Sequence, residues 1–163
     1  MVLWLVFGSI FLVWNVFQSP GLDFRLIAIG ALFPLALDAP LRRMAYAHTL
    51  LSAVLVLVVA MAFTAGRGHR LRRRRALSLA IGWFTSLVLS GAWMHTDVFW
   101  WPASGSTIPH VALLPPWPVL LIEEVLGIAA AWWTWSRFGL ADPARRREFR
   151  RTGRLAIAIG EDH

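Results

Sequence analysis

Long apolar stretches separated by short polar segments make up most of the chain. Crossing the hydrocarbon core of a membrane takes about 20 mostly apolar residues in a helix, because lipid offers the backbone no hydrogen-bond partners. The stretches therefore predict membrane-spanning helices. The pattern indicates four full spans, at about 1–18, 45–66, 76–94 and 117–136, and a short or re-entrant hydrophobic helix at 22–38.

The fold class that follows is all-α, a polytopic transmembrane helix bundle over residues 1–140. If the segment 22–38 crosses the membrane, the bundle has five spans and its N-terminus is outside. If that segment is re-entrant, it has four spans and its N-terminus is inside. Residues 141–163 form a basic tail, where Asp142 before Pro143 is typical of a helix start. We expect a helix there, lying on the membrane surface.

Composition and charge support a membrane location and orient the bundle. Hydrophobic residues make up 58% of the chain, whereas soluble domains have about 45–50%. All sixteen basic residues are Arg, against nine acidic residues. Six of the arginines lie in 67–75, seven lie in 137–154 and none lies in 95–116. Because positive charge is retained on the cytoplasmic side, we expect the C-terminus to be cytoplasmic and residues 95–116 to lie outside.

Two runs of arginines border the predicted spans. We interpret them as topology determinants that also attract anionic lipid headgroups. Nucleic acid is disfavoured as a partner, because topology alone predicts basic residues at these places. The chain has no Cys, which excludes disulfides, thiol catalysis and Cys-type zinc sites. The arginines of the two runs are Arg72, Arg73, Arg74, Arg75, Arg145, Arg146 and Arg147.

A small set of acids and histidines lies toward the predicted outer face. Ionisable residues within or beside membrane helices indicate function by default, and this set suits a divalent metal or acid–base chemistry. Simpler roles stay open, such as turn capping for Asp38, an interfacial hydrogen bond for His48 and helix-start charge for the two glutamates. The set is Asp38, His48, His95, Asp97, His110, Glu123 and Glu124.

Several strings of the sequence, taken in order over roughly residues 14–154, carry a resemblance to a known family. The chain resembles the small membrane-bound predicted metal-dependent hydrolases, also described as LexA-binding, inner-membrane-associated hydrolases, and in particular an actinobacterial branch of them. The resemblance implies a multi-pass protein of the bacterial cytoplasmic (inner) membrane. The strings are Ser19–Arg25, Gly30–Asp38, His48–Leu51, Gly91–Trp93, Val98–Pro102 and Arg137–Ala144.

The family's metal site uses a Pro-Asp-x-x-Asp stretch, a His before Ser or Thr, and a helical His-x-x-x-Asp. This chain keeps the second acid as Asp38 and the histidine as His48. The other three positions are replaced by Leu35, Ser86 and Ser90. A catalytic divalent ion normally takes three protein ligands and a water. The resemblance therefore implies the family's scaffold without its complete metal site.

The two serines also have an interpretation of their own. Ser78, Gly82, Ser86 and Ser90 recur every four residues, and a stripe of small residues on one face allows close packing between membrane helices. A serine nucleophile would need a base within hydrogen-bonding reach, for which His48 is the candidate.

The leading hypothesis is a catalytically degenerate or non-enzymatic membrane protein, with no cofactor, that acts through packing, lipid contact or a protein partner. The alternative is a membrane metal-dependent hydrolase with a rearranged site, whose ligands would be Asp38, His48, one of Glu123 and Glu124, and His95. Its substrate would be lipid-like or extracytoplasmic. Transport is disfavoured, because the sequence has no internal repeat.

Overall fold

The structure is a computed structural model that describes residues 1–19, 21–65 and 70–155, and helices form most of this part of the chain. Helix α1 opens with a π-helical turn at Trp4–Gly8 and continues as Ser9–Phe17. Two short strands, β1 (Arg43–Met44) and β2 (Val111–Ala112), pair antiparallel. The other helices are α2 (Phe24–Asp38), α3 (Leu50–Phe63), α4 (Arg70–Leu89), α5 (Thr96–Phe99), α6 (Trp117–Arg137) and α7 (Pro143–Thr152).

Side-chain caps determine where three of these helices begin. Asp23 accepts a hydrogen bond from the amide of Arg25 at the start of α2, and Thr49 accepts one from Ser52 at the start of α3. Asp142 accepts one from Ala144, with Pro143 in the first helical position. Such caps satisfy amide groups that lack a partner within the helix. The helix start predicted at Asp142 and Pro143 is confirmed, while residues 156–163 of the tail lie outside the described residues.

Fewer helices reach membrane-spanning length than the sequence predicts. Within the described residues, two are long and apolar enough to cross a membrane, judged by length and composition: Phe24–Leu41 and Trp117–Arg137. The prediction of four full spans is therefore wrong in its lengths. Trp4–Phe17 and Leu50–Phe63 are shorter apolar helices. The 14 residues of α3 extend over about 21 Å, against a hydrocarbon core of about 30 Å.

Local backbone features shorten the predicted spans. Residues Tyr46–His48 form a 3-10 turn, so α3 starts later than the predicted 45, and the predicted end at 66 lies outside the described residues. Helix α4 ends at Leu89 because Gly91 adopts a positive φ of 69°, which stops a helix. In contrast, the segment predicted to be short reaches spanning length, because the 3-10 turn Ala39–Leu41 continues α2 beyond Asp38.

The long helices alternate in direction, as contacts between their ends show. At one end, the indole of Trp4 donates to the carbonyl of Leu89 (3.1 Å) and the amino group of Met1 contacts Glu124. At the other end, the ring of Trp14 packs against those of Phe24 and Phe138, with centroids 5.8 and 4.7 Å away. The start of α1 therefore lies beside the end of α4 and the start of α6, and its end lies beside the start of α2 and the end of α6.

Helices α2 and α4 form the closest-packed pair of the bundle. A Cβ added to Gly30 would overlap the carbonyl oxygen of Leu79, and one added to Gly82 would overlap that of Ile27. Ser78 accepts a hydrogen bond from the amide of Asp23 (3.0 Å). The prediction that the small-residue stripe of α4 packs against a neighbouring helix is thus confirmed at Ser78 and Gly82.

The tail is attached to the bundle as far as residue 155. The carbonyl of Gly153 accepts a hydrogen bond from the amide of Phe24 (2.8 Å). Leu155 is 1% exposed and belongs to the same core cluster as Trp14 and Phe138. Helix α7 therefore lies beside the start of α2, at what we call the arginine end of the bundle, with Arg74 and Arg75. The opposite end, with Asp38 and His48, is called the histidine end.

Candidate functional site

A buried acid–histidine pair lies in the turn that joins α2 to α3. Asp38 is the last residue of α2, and His48 ends the 3-10 turn Tyr46–His48. The Nδ1 atom of His48 is 2.7 Å from Oδ2 of Asp38. Asp38 is 3% exposed and His48 0% exposed. The structure therefore brings together the two residues that match the family's metal-site positions.

The carboxylate of Asp38 is occupied by groups of its own turn. Its Oδ2 accepts from the amide of Ala45 (2.7 Å) as well as facing His48, and its Oδ1 accepts from the amide of Ala47 (3.4 Å). Because a carboxylate only accepts hydrogen bonds, Nδ1 of His48 donates to it, which leaves Nε2 as the second nitrogen of the ring. Within the described residues, Nε2 is buried and has no hydrogen-bond partner. The pair therefore offers its surroundings one further ring atom, Nε2.

At the three positions where the resemblance expects further metal ligands, the chain has no ligand side chain. Leu35 packs against an apolar cluster that includes Met44 and Val98. Ser86 is buried, and its Oγ makes no hydrogen bond to any described residue, including His48. Ser90 donates to the carbonyl of Leu87 (3.4 Å). A serine nucleophile activated by His48 would need a hydrogen bond between them, which the structure does not show.

The remaining predicted residues lie apart from the Asp38–His48 pair. Glu124 contacts the amino group of Met1. Asp97 and His110 are exposed. Glu123 and His95 both line a separate, mostly apolar cavity of about 540 Å³, together with Ser90. Within the described residues, Oε2 of Glu123 is buried without a hydrogen-bond partner.

The donor atoms described do not fit a divalent ion. No group of three or more His, Asp or Glu side chains is close enough to hold a metal within the part of the chain that the structure describes. Asp38 and His48 contact each other rather than facing a shared space. A catalytic metal normally takes three protein ligands, whereas this pair offers the single atom Nε2.

No family model, no curated protein and no solved structure matches the chain. The resemblance to the membrane-bound hydrolases therefore rests on the quoted sequence strings alone.

The arginine end contains polar contacts that sequence reasoning missed. Asp23 binds Arg25, with Oδ2 3.1 Å from Nη2 and Oδ1 3.2 Å from Nε. Arg25 also donates to the carbonyl of Arg150. The position of Asp23, directly before an apolar helix, is a signal that could have predicted the cap. The contact of Arg25 with α7 could not be predicted, since Arg25 and Arg150 are 125 residues apart in the sequence.

The arginines of the two runs differ in their surroundings. Arg72, Arg73, Arg74 and Arg75 are all exposed, but of these only Arg74 and Arg75 line the described part of a cavity. The guanidinium of Arg146 lies 5.8 Å from the ring centroid of Trp135, within the range of a cation–π contact. The runs therefore contain individually placed arginines as well as a general basic charge.

Proposed function

We propose that the protein is an integral protein of the bacterial inner membrane that keeps the scaffold of the membrane-bound metal-dependent hydrolases but not their catalysis. The observation that carries this proposal is the hydrogen bonding of Asp38. Its carboxylate accepts from Ala45, Ala47 and His48, all of its own turn. In this role the retained acid and histidine hold the α2–α3 turn together instead of binding a catalytic ion.

Outward-facing apolar side chains support the membrane placement. Exposed Val, Leu, Ile and aromatic residues extend along α3 and α6. Soluble monomers rarely expose continuous apolar surface of this kind. The exposed residues include Leu55, Val58, Val59 and Phe63 of α3, and Ile122, Val125, Ile128 and Trp132 of α6.

The proposed topology has the arginine end in the cytoplasm and the histidine end outside, following the positive-inside rule. Five helices cross, and the N-terminus is outside, because Met1 lies beside Glu124 at the histidine end. The shorter helices α1 and α3 are accommodated by local thinning of the bilayer. Such a protein acts through lipid contact or a protein partner.

Metal content tests the proposal against a hydrolase with a rearranged site. The full chain is purified in detergent after expression with added zinc and manganese, and bound metal is measured by mass spectrometry. We expect far less than one ion per chain, unchanged in His48→Ala. The matched control is His110→Ala, which removes an exposed histidine.

One zinc or manganese ion per chain, lost in His48→Ala and retained in His110→Ala, would contradict the proposal. That result would support the alternative, in which Asp38, His48, Glu123 or Glu124, and His95 rearrange around an ion. Hydrolysis of a lipid-like ester that depends on the same ion would confirm that alternative.

A further inference from the structure

A cavity of about 320 Å³ lies at the arginine end, where the starts of α2 and α4 meet the end of α7. Four of its described lining residues are arginines, two from α4 and two from the α7 region, and one is an acid. This composition differs from that of the apolar cavities elsewhere in the bundle. The lining residues are Gly21, Leu22, Asp23, Arg74, Arg75, Arg151, Thr152 and Arg154.

The acid in this lining is already neutralised. Both carboxylate oxygens of Asp23 lie 3.1–3.2 Å from guanidinium atoms of Arg25, and Nε of Arg75 is 4.0 Å from Oδ2. Within the described residues, no carboxylate lies at salt-bridge distance from Arg74, Arg151 or Arg154. Among the described residues, the lining of the cavity therefore carries a positive charge that is not balanced.

The backbone that carries the arginines of the tail is held in place by the fold. The hydrogen bond from Phe24 to the carbonyl of Gly153 and the burial of Leu155 attach residues 151–155 to the bundle. Gly153 adopts a positive φ of 70°, and a Cβ there would overlap the carboxylate of Asp23. This position therefore requires glycine. Arg151 and Arg154 line the same cavity as Arg74. Their side chains are exposed, while the backbone that carries the two tail arginines is attached to the bundle.

We propose that this cavity binds a phosphate group, carried by an anionic phospholipid headgroup or by a soluble phosphate ester. The planar fork of a guanidinium matches the oxygens of a phosphate and binds them with two parallel hydrogen bonds. Several guanidinium groups around one phosphate favour a site that binds one anion per chain over unspecific attraction of anions to the basic surface. The lipid source rests on the membrane placement proposed above, whereas the phosphate chemistry does not.

Binding is measured on the full chain in non-ionic detergent at 0.15 M salt, by calorimetry and native mass spectrometry. The probes are short-chain phosphatidic acid, diacylglycerol as the lipid without phosphate, and glycerol 3-phosphate as the soluble ester. We expect one phosphatidic acid per chain and no site for diacylglycerol. In the double variant Arg74→Gln/Arg151→Gln we expect about 25-fold weaker binding, because two guanidinium charges no longer face the phosphate.

The matched control is Arg72→Gln/Arg147→Gln, which removes the same charge from the same two helices outside the cavity. We expect it to change affinity by less than about threefold, because salt screens exposed charges beyond about 8 Å. Arg74→Lys/Arg151→Lys keeps the charge but lacks the guanidinium fork, and should weaken binding to an intermediate degree. Circular dichroism and gel filtration check that each variant is folded.

Equal weakening by the two Gln double variants would overturn the proposal, because diffuse charge would then explain the binding. Undiminished binding in Arg74→Gln/Arg151→Gln, or no binding of either phosphate probe to the unaltered chain, would also overturn it. Binding of glycerol 3-phosphate with the same dependence on Arg74 and Arg151 supports a soluble phosphate ester. Binding of phosphatidic acid alone, with that dependence, supports a lipid headgroup. None of these results depends on the metal content of the histidine end.

Discussion

Asp38 and His48 combine two ordinary roles in one buried contact. Asp38 accepts hydrogen bonds from the turn that follows α2, and His48 finds its partner in that same carboxylate. Each role is one that the sequence suggests for the residue separately. Their combination makes the pair costly to disrupt, because removing one partner leaves the other buried and unsatisfied.

Asp38→Ala is expected to lower the free energy of unfolding by about 3 kcal/mol, since it leaves the imidazole and the amide of Ala45 without their acceptor. Denaturant unfolding in detergent micelles measures the change. The control is Asp97→Ala, which removes an exposed carboxylate and should change stability by less than about 0.5 kcal/mol. Equal effects of the two substitutions would show that the Asp38 pair contributes nothing specific.

Helix α4 has different partners along its length. Its small residues allow α2 to approach at Gly82 and Ser78, while the indole of Trp83 donates to the carbonyl of Ala47 (3.2 Å), next to His48. The helix therefore supports the α2–α3 turn as well as packing against α2. A substitution in the stripe of small residues should therefore lower the stability of the whole bundle.

Gly82→Ala is expected to destabilise the protein by about 1–3 kcal/mol, because the added methyl group overlaps the backbone of α2, which cannot rotate away. Thermal unfolding in detergent provides the measurement. Gly8→Ala is the control, since its nearest neighbours are side-chain atoms of Trp4 and Leu89, at 3.1 and 3.2 Å. These can shift, and Ala favours a helix, so stability should stay within about 1 kcal/mol. A Gly82→Ala variant as stable as the control would show that α2 and α4 do not pack this closely.

Arginines and the buried acid–histidine pair lie at opposite ends of the bundle. Arg74, Arg75 and the arginines of α7 gather at one end, and the Asp38–His48 pair lies at the other. Five helices of unequal length, α1, α2, α3, α4 and α6, run between the two ends. Since the chain lacks Cys, this arrangement can be tested by labelling single introduced cysteines.

Leu41→Cys and Ser104→Cys, at the histidine end, should react with a membrane-impermeant maleimide in intact cells. Ala65→Cys and Ala141→Cys, at the arginine end, should react only after the membrane is opened. The positive-inside rule predicts which end of the bundle faces the cytoplasm. Because the helices alternate in direction, the two cysteines introduced at the same end should be labelled from the same side of the membrane. Labelling of Leu41→Cys and Ala65→Cys from the same side would mean that α3 does not cross.

The sequence by itself determined the helical class, the apolar character of the helices, the grouping of most arginines into two runs, and the capped start of α7 at Asp142. These depend on composition and on short-range pattern, because neighbouring residues alone decide them. Which helices reach spanning length depends on local turns at Ala39 and Gly91, which extend or end the helices and which hydropathy along the chain does not show. Tertiary structure alone decided that His48 faces Asp38 and that Gly153 faces Phe24. Such pairings depend on how distant segments pack, and no pattern along the chain encodes that geometry.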